Sequence, residues 1–359
     1  MLAEIAVPGP AAPGQLNLHE TLRYAASPRR HPGRRTPGTL LADPACGLRD
    51  EIRDLADRLE HDGTSIADLR LMRTALKEMR WACRVFSKFR GIRKVTTFGS
   101  ARTPPGSPAW EQARTFAARI TELGYMVITG AGPGIMEACQ MGSGRERSFG
   151  INIRLPFEQQ PNPVIGDDPK LINFKYFFTR KLFLMKEADA VVLFPGGFGT
   201  HDEGFEALTL IQTGKAPVVP VVFIETPDGH YWGTWREYVE QHLRDQGLIS
   251  PSDMDLFRVT DDVDDAVAEI VRFYRCYHSS RWVGEYMVLR LQVALAPALV
   301  TDLAQEFADA LHEPVIEQRP ALPEEADEPA LAHLPRLVVP LRRRSAGRLR
   351  RLIDRINSA

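Results

Sequence analysis

Between Phe194 and Glu203 the sequence reads FPGGFGTHDE. An apolar strand stops at a proline, passes through three glycines and restarts as a helix. Gly196 and Gly197 let the backbone turn tightly and come close to a ligand, and Gly199 precedes Thr200 at the start of the helix. Unpaired amides at such a helix start, at the positive end of the helix dipole, bind a phosphate without any lysine. Asp202 and Glu203, read as part of the first turn with His201, are favoured there by the dipole alone, so their presence has a stabilising explanation beside a chemical one. Glu206 adds a further acid, and periodicity does not choose which of the three faces a cleft. His201 has no second ligand at a metal spacing.

A second glycine loop, Thr129 to Glu137, reads TGAGPGIME. It differs from the dinucleotide fingerprint GxGxxG, whose third glycine would fall on Ile135, and no acid stands about 20 residues on at a strand end. Nor is there a GxxxxGK[ST] motif for nucleoside triphosphates. The loop reads as another wall of the same cleft, with Glu137 either lining it or capping its own helix. A third piece is Phe178-Thr-Arg-Lys181, which puts Arg180 at the head of a helix. A cation is disfavoured there unless something anionic is near, so Arg180 points to a ligand phosphate or a facing carboxylate.

These pieces need a scaffold of alternating strands and helices. The pattern predicts strands at Lys94–Phe98, Tyr125–Thr129, Phe149–Leu155, Ile172–Phe177, Ala190–Phe194 and Val218–Ile224. Helices are expected at Pro108–Leu123, after Gly134 through Gln140, and at Thr179–Ala188, His201–Thr213, Gly233–Asp245 and Val263–Tyr274. Runs such as VVLF and VVPVVFI are continuously apolar, as in strands covered on both faces. The fold class is therefore α/β, a Rossmann-like doubly wound parallel sheet, with its ligand beyond the carboxyl ends of the strands.

The sheet domain is placed at 91–278. Before it, residues 46–90 repeat apolar positions at helical spacing, broken at Asp62-Gly63, and read as a helical arm. Residues 1–45, rich in Pro, Gly and Arg, read as a tail that cannot bury enough apolar surface to fold. After it, 279–359 reads as a small α+β appendage: a strand (Glu285–Leu291), a helix (Pro297–Leu311), an acidic loop (Pro320–Pro329), a strand (Leu337–Leu341) and a basic helix (Ala346–Ile356).

The net charge of −1 over 359 residues leaves no global field to recruit nucleic acid or a membrane surface, so any anion must be held locally. Four scattered cysteines suggest neither a disulfide framework nor structural zinc, and a reducing cytoplasm fits. No apolar run approaches the ~20 residues of a membrane span, and no signal pattern opens the chain.

Together the pieces resemble the LOG-type nucleotide phosphoribohydrolases, long mislabelled as lysine decarboxylases. The similarity runs from about Val95 to Val271 through FGSART (Phe98–Thr103), TGAGPGIMEA (Thr129–Ala138), INIRLPFEQQPNP (Ile151–Pro163), FFTRK (Phe177–Lys181), and PGGFGTHDE leading to EALTLIQTGK (Glu206–Lys215). Ala131 and His201 depart from the family's usual glycine and apolar residue. The resemblance implies catalytic roles for Arg180 and Glu203 and a phosphate cradle at Gly196, Gly197, Gly199 and Thr200. It also implies a substrate-binding wall at Gly130, Gly132, Gly134, Met136 and Glu137, with Lys181 beside it. Further implications are cleavage of a nucleoside 5′-monophosphate to free base and ribose 5-phosphate, no metal or other cofactor, and a homodimer or higher assembly. An alternative is a non-catalytic protein of the same fold that binds nucleotide or molybdenum cofactor, against which the pairing of Arg180 with Glu203 speaks. Lysine decarboxylation lacks a recognisable lysine for pyridoxal phosphate.

Overall fold

A computed structural model describes residues 44–154 and 160–358. The tail expected over 1–45 lies outside the described residues up to position 43, as do residues 155–159 of the INIRLPFEQQPNP stretch. Helix α1 (Pro44–Arg58) belongs to one compact unit, ending at Gly63, and everything that follows to a second, Thr64–Ala359.

The second unit opens with helix α2 (Ile66–Phe86), started by Ser65, whose side chain accepts from the Asp68 amide at 3.1 Å. Then come β1 (Lys94–Phe98), α3 (Pro108–Glu122), β2 (Met126–Thr129), α4 (Ile135–Ser143), β3 (Ser148–Ile153), β4 (Leu171–Phe174), α5 (Phe177–Lys186) and β5 (Ala190–Leu193). Helix α6 (Phe198–Gln212), β6 (Val221–Ile224), α7 (Tyr231–Tyr238), β7 (Arg258–Thr260) and α8 (Val263–Phe273) complete this part. All seven strands are parallel, in the order β4-β3-β2-β1-β5-β6-β7.

Each central strand feeds two cores because successive side chains point to opposite faces. Val191 and Leu193 join the layer of α5, α6 and α7, whereas Ala190 and Val192 face α3, α4 and α8; Val221 with Phe223 and Val222 with Ile224 divide in the same way. Burial of rings such as Phe223 against Trp232 and Trp235 contributes about 1.5–3 kcal/mol each.

Two boundaries differ in a way that bears on the site. Helix α6 begins at Phe198 with Gly197 as its N-cap, not at His201, because the chain turns helical directly out of the glycines. His201, Asp202 and Glu203 therefore occupy its second turn, and no acid stands in the first. The helix expected over Gly233–Asp245 is α-helical only to Tyr238 and continues as a π-helical stretch, Val239–Arg244. Strand β6 starts at Val221 rather than Val218, since Pro220 lacks the amide that a central ladder requires.

The C-terminal part forms a four-stranded antiparallel sheet from β8 (Tyr277–Val283), β9 (Tyr286–Leu291), β10 (Glu317–Arg319) and β11 (Arg336–Val339), in the order β10-β11-β9-β8. Helices α9 (Pro297–Glu306) and α10 (Ala346–Asn357) accompany it. Met287, Leu289, Leu337 and Leu352 share one continuous core with the α6 side of the parallel sheet. The acidic loop carries an unexpected buried charge: Glu325 accepts from Arg290 at 2.8 Å and from Arg336 at 2.9 Å, in the absence of any apolar signature that could have announced it.

Candidate active site at the strand-order reversal

From β1 the sheet grows one way through β2, β3 and β4; at β5 it resumes on the other side of β1. Loops leaving the carboxyl ends of two such strands diverge, and the crevice between them is where open parallel sheets bind ligands. Here the two loops are Gly99–Arg102 and Pro195–Gly197. They are joined by the Ser100 amide, which donates to the Pro195 carbonyl at 3.1 Å, and the Ser100 carbonyl accepts from Ile135 at 3.1 Å. One residue thus gathers all three loops around a cavity of about 780 Å³, within the size range of small-molecule sites.

One wall is the start of α6. The Thr200 and His201 amides return to the Gly197 carbonyl at 3.0 and 3.2 Å, while those of Phe198 and Gly199 have no acceptor among the described residues. Two N–H groups are therefore open to an anion at the positive end of a 15-residue helix. Gly196 has to be glycine because a methyl there would collide with Thr200, whose side chain is buried under the turn. The Tyr231 hydroxyl, from the start of α7, donates to the Gly196 carbonyl and meets His201 Nε2 at 2.7 Å. Since that hydroxyl's single proton goes to Gly196, the His201 ring must supply the hydrogen from Nε2. Burial lowers the His201 pKa, which favours the neutral ring.

Opposite stands Arg180. Its Nε donates to the Ile151 carbonyl of β3 at 2.9 Å, and its guanidinium lies against Gly130 and the Met136 sulfur, so that a methyl on Gly130 would displace it. Among the described residues no carboxylate reaches salt-bridge distance of Arg180. Burial pulls its pKa down and the field of Glu203 pulls it back up.

Glu203 is 7% exposed and lines the cavity, with Oε2 lacking a hydrogen-bond partner among the described residues. Burial raises its pKa to about 7, although Lys181 and Arg180 draw it down; Glu206 and Asp202 push it further up. The choice among the three acids is decided by Lys181, whose ammonium takes Asp202 at 2.6 Å and Glu206 at 2.9 Å. Those two share a helix face four residues apart, leaving Glu203 turned inward.

Gly130, Met136, Arg180, Gly196, Gly197, Gly199, Thr200 and Glu203 thus surround one cavity. Gly132, Gly134, Glu137 and Lys181 lie outside its lining. The Gly132 carbonyl is taken by the Asn162 side chain at 2.9 Å, Gly134 packs against the Ser100 carbonyl, and Glu137 is half-buried in the first turn of α4. Sequence reasoning missed Arg102, Phe177 and Tyr231, which also line the space. FGSART and FFTRK held a signal for the first two; Tyr231, some 30 residues beyond the loop it touches, had none. Among the described residues no group of three or more His, Cys, Asp or Glu could hold a metal ion, and no helix is long and apolar enough to cross a membrane.

Residues 134–270 match a family model described as possible lysine decarboxylase. The cytokinin riboside 5′-monophosphate phosphoribohydrolase of Mycobacterium tuberculosis is 36% identical over 103 residues, 28% of this chain and 52% of that protein. The protein of the same name from Rhodococcoides fascians is 33% identical over 91 residues, 25% of this chain and 44% of its own. The chain thus spans about half the length of the curated relatives it matches. Among solved structures, the molybdenum cofactor binding protein from Rippkaea orientalis is similar with a TM-score of 0.35 and 16% identity, over 49% of this chain and 93% of that one.

Proposed function

We propose, from the family match and the likeness to the two phosphoribohydrolases, that the chain is a LOG-type protein and hydrolyses the N-glycosidic bond of a nucleoside 5′-monophosphate, releasing the base and ribose 5-phosphate. The observation that carries this reading is the meeting, in one cavity, of the open Phe198 and Gly199 amides with a buried, unpartnered Glu203 oxygen. The amides and the helix dipole hold the 5′-phosphate, and the rigid ribose then sets C1′ at a fixed distance from it. As the bond from C1′ to the base nitrogen breaks, positive charge builds on the sugar, and the Glu203 carboxylate stabilises it. The same group accepts a proton from the attacking water, whose oxygen bonds to C1′, while the departing base takes a proton from solvent, to which Glu203 then returns its own. With Nε on the Ile151 carbonyl, Arg180 turns its remaining N–H groups to the substrate rather than to Glu203.

The test is base release from a panel of 5′-nucleotides, with the matching nucleosides as controls, for the wild type and Glu203→Gln. A 5′-monophosphate should be cleaved and its nucleoside not. Glu203→Gln should lower kcat about 10²–10³-fold while binding the nucleotide. Tight binding without turnover by the wild type would replace this reading with that of a carrier or sensor.

A further inference from the structure

Arg180 has two anchors, its own helix α5 and the Ile151 carbonyl on β3, and helix α2 touches both. Glu78 on α2 accepts from the Lys175 amide at 2.7 Å and from the Thr179 hydroxyl at 2.6 Å, at the very start of α5. The N-cap of α5, Tyr176, makes no side-chain capping bond of its own, and Glu78, 97 positions from Lys175, ties the residue before that cap to the third residue of the helix. Eight residues on, the Phe86 ring stacks on Phe149 of β3 at 4.5 Å and faces Phe183 of α5 at 6.3 Å.

We propose that α2 is a strut for the catalytic arginine and that Glu78 is its positioning residue. Thr179, clamped by Glu78 and 1% exposed, immediately precedes Arg180, whose guanidinium lies beside Gly130 at the cavity wall. Misplacement of a positioning group by about 1 Å costs a reaction on the order of 10²-fold. The helix thereby acts on chemistry it does not touch. It also lies outside residues 134–270, which match the family model. The inference rests on the proposed nucleotide hydrolysis for its consequence, though not for its geometry.

The test compares Glu78→Ala, Glu78→Gln and, as control, Lys77→Ala, which alters the adjacent exposed residue of the same helix. Two readouts are taken well below the melting temperature. One is kcat and KM for the best 5′-monophosphate; the other is the rate at which phenylglyoxal modifies Arg180, followed by peptide mass mapping, which needs no activity. Glu78→Ala should lower kcat/KM about tenfold or more and modify Arg180 several-fold faster. Glu78→Gln, which keeps one acceptor oxygen, should fall between it and the wild type, and Lys77→Ala should match the wild type. If Glu78→Ala does not fold, Glu78→Gln decides by the same two readouts. Glu78 variants that melt earlier yet turn over and label at wild-type rates would reduce Glu78 to a stabilising contact and overturn the proposal. A wild type that cleaves no nucleotide, in a protein whose Arg180 labelling still depends on Glu78, would keep the strut and remove the hydrolase reading.

Discussion

The two glycine loops look alike as text, each a buried strand running through glycines into a helix, yet they spend their hydrogen bonds differently. In Thr129–Gly134 the Ala131 amide goes to the Thr129 hydroxyl, and the Ala131 and Gly132 carbonyls both accept from Asn162. The helix that follows ties its first amide to Ser100. In Pro195–Thr200 the Phe198 and Gly199 amides have no such acceptor among the described residues, and a methyl at Gly197 or Gly199 would meet open space. The first loop is pinned by Thr129, Asn162 and Ser100 and serves as a wall, whereas the second presents the Phe198 and Gly199 amides beside glycines with open space around them.

Substitution should separate the two loops. Gly134 holds a φ of +68° with its α-hydrogen against the Ser100 carbonyl, so Gly134→Ala should cost about 3 kcal/mol or more, read from urea unfolding. Gly199→Ala should leave the midpoint within about 1 kcal/mol but weaken nucleotide binding about tenfold by calorimetry. If the two variants exchanged effects, the assignment of wall and cradle would be reversed.

Glu203, the acid behind the open loop, sharpens the contrast through pH. The fold raises its pKa from 4.5 to about 7, mainly by burial, so the neutral form is favoured in the folded state. Stability is therefore lost as pH rises from the unfolded value toward the folded one, and remains lower above it. Glu203→Gln should be the more stable protein at pH 8 by about 2–3 kcal/mol, an advantage that vanishes by about pH 4. Activity runs the other way. If the ionised carboxylate does the work, kcat/KM should fall about tenfold per pH unit below about 7 and level off above it; a flat profile from pH 5 to 8 would mean that another group carries the charge.

The smallest effect belongs to Ala131, a non-glycine residue at φ +63° in the closed loop. Ala131→Gly relieves left-handed strain but loses a fully buried methyl and gains unfolded-state entropy. The terms nearly offset, and thermal unfolding should move by less than about 1 kcal/mol. A larger gain would show that the wall is under strain.

Strand β1 was legible to the residue, because the β-branched run Val95, Thr96, Thr97 with Phe98 favours an extended chain and stops at Gly99. Strand β8 was not: its run HSSRWV is half-buried and amphipathic only once β9 lies beside it. Likewise Asp202, Glu203 and Glu206 were equal candidates by periodicity, until Lys181 on another helix claimed two of them.

The order of residues by itself determined the alternation of strands and helices, the glycine turns and the identity of the chemical groups, since these follow from side-chain periodicity and from backbone freedom local to a few positions. Only the tertiary structure decided which amides stay open, which acid turns inward, and that Ser100, Tyr231 and Glu78 hold the site. Those outcomes depend on where other segments lie in space, and a hydrogen bond across about 100 positions leaves no local trace in the chain that makes it.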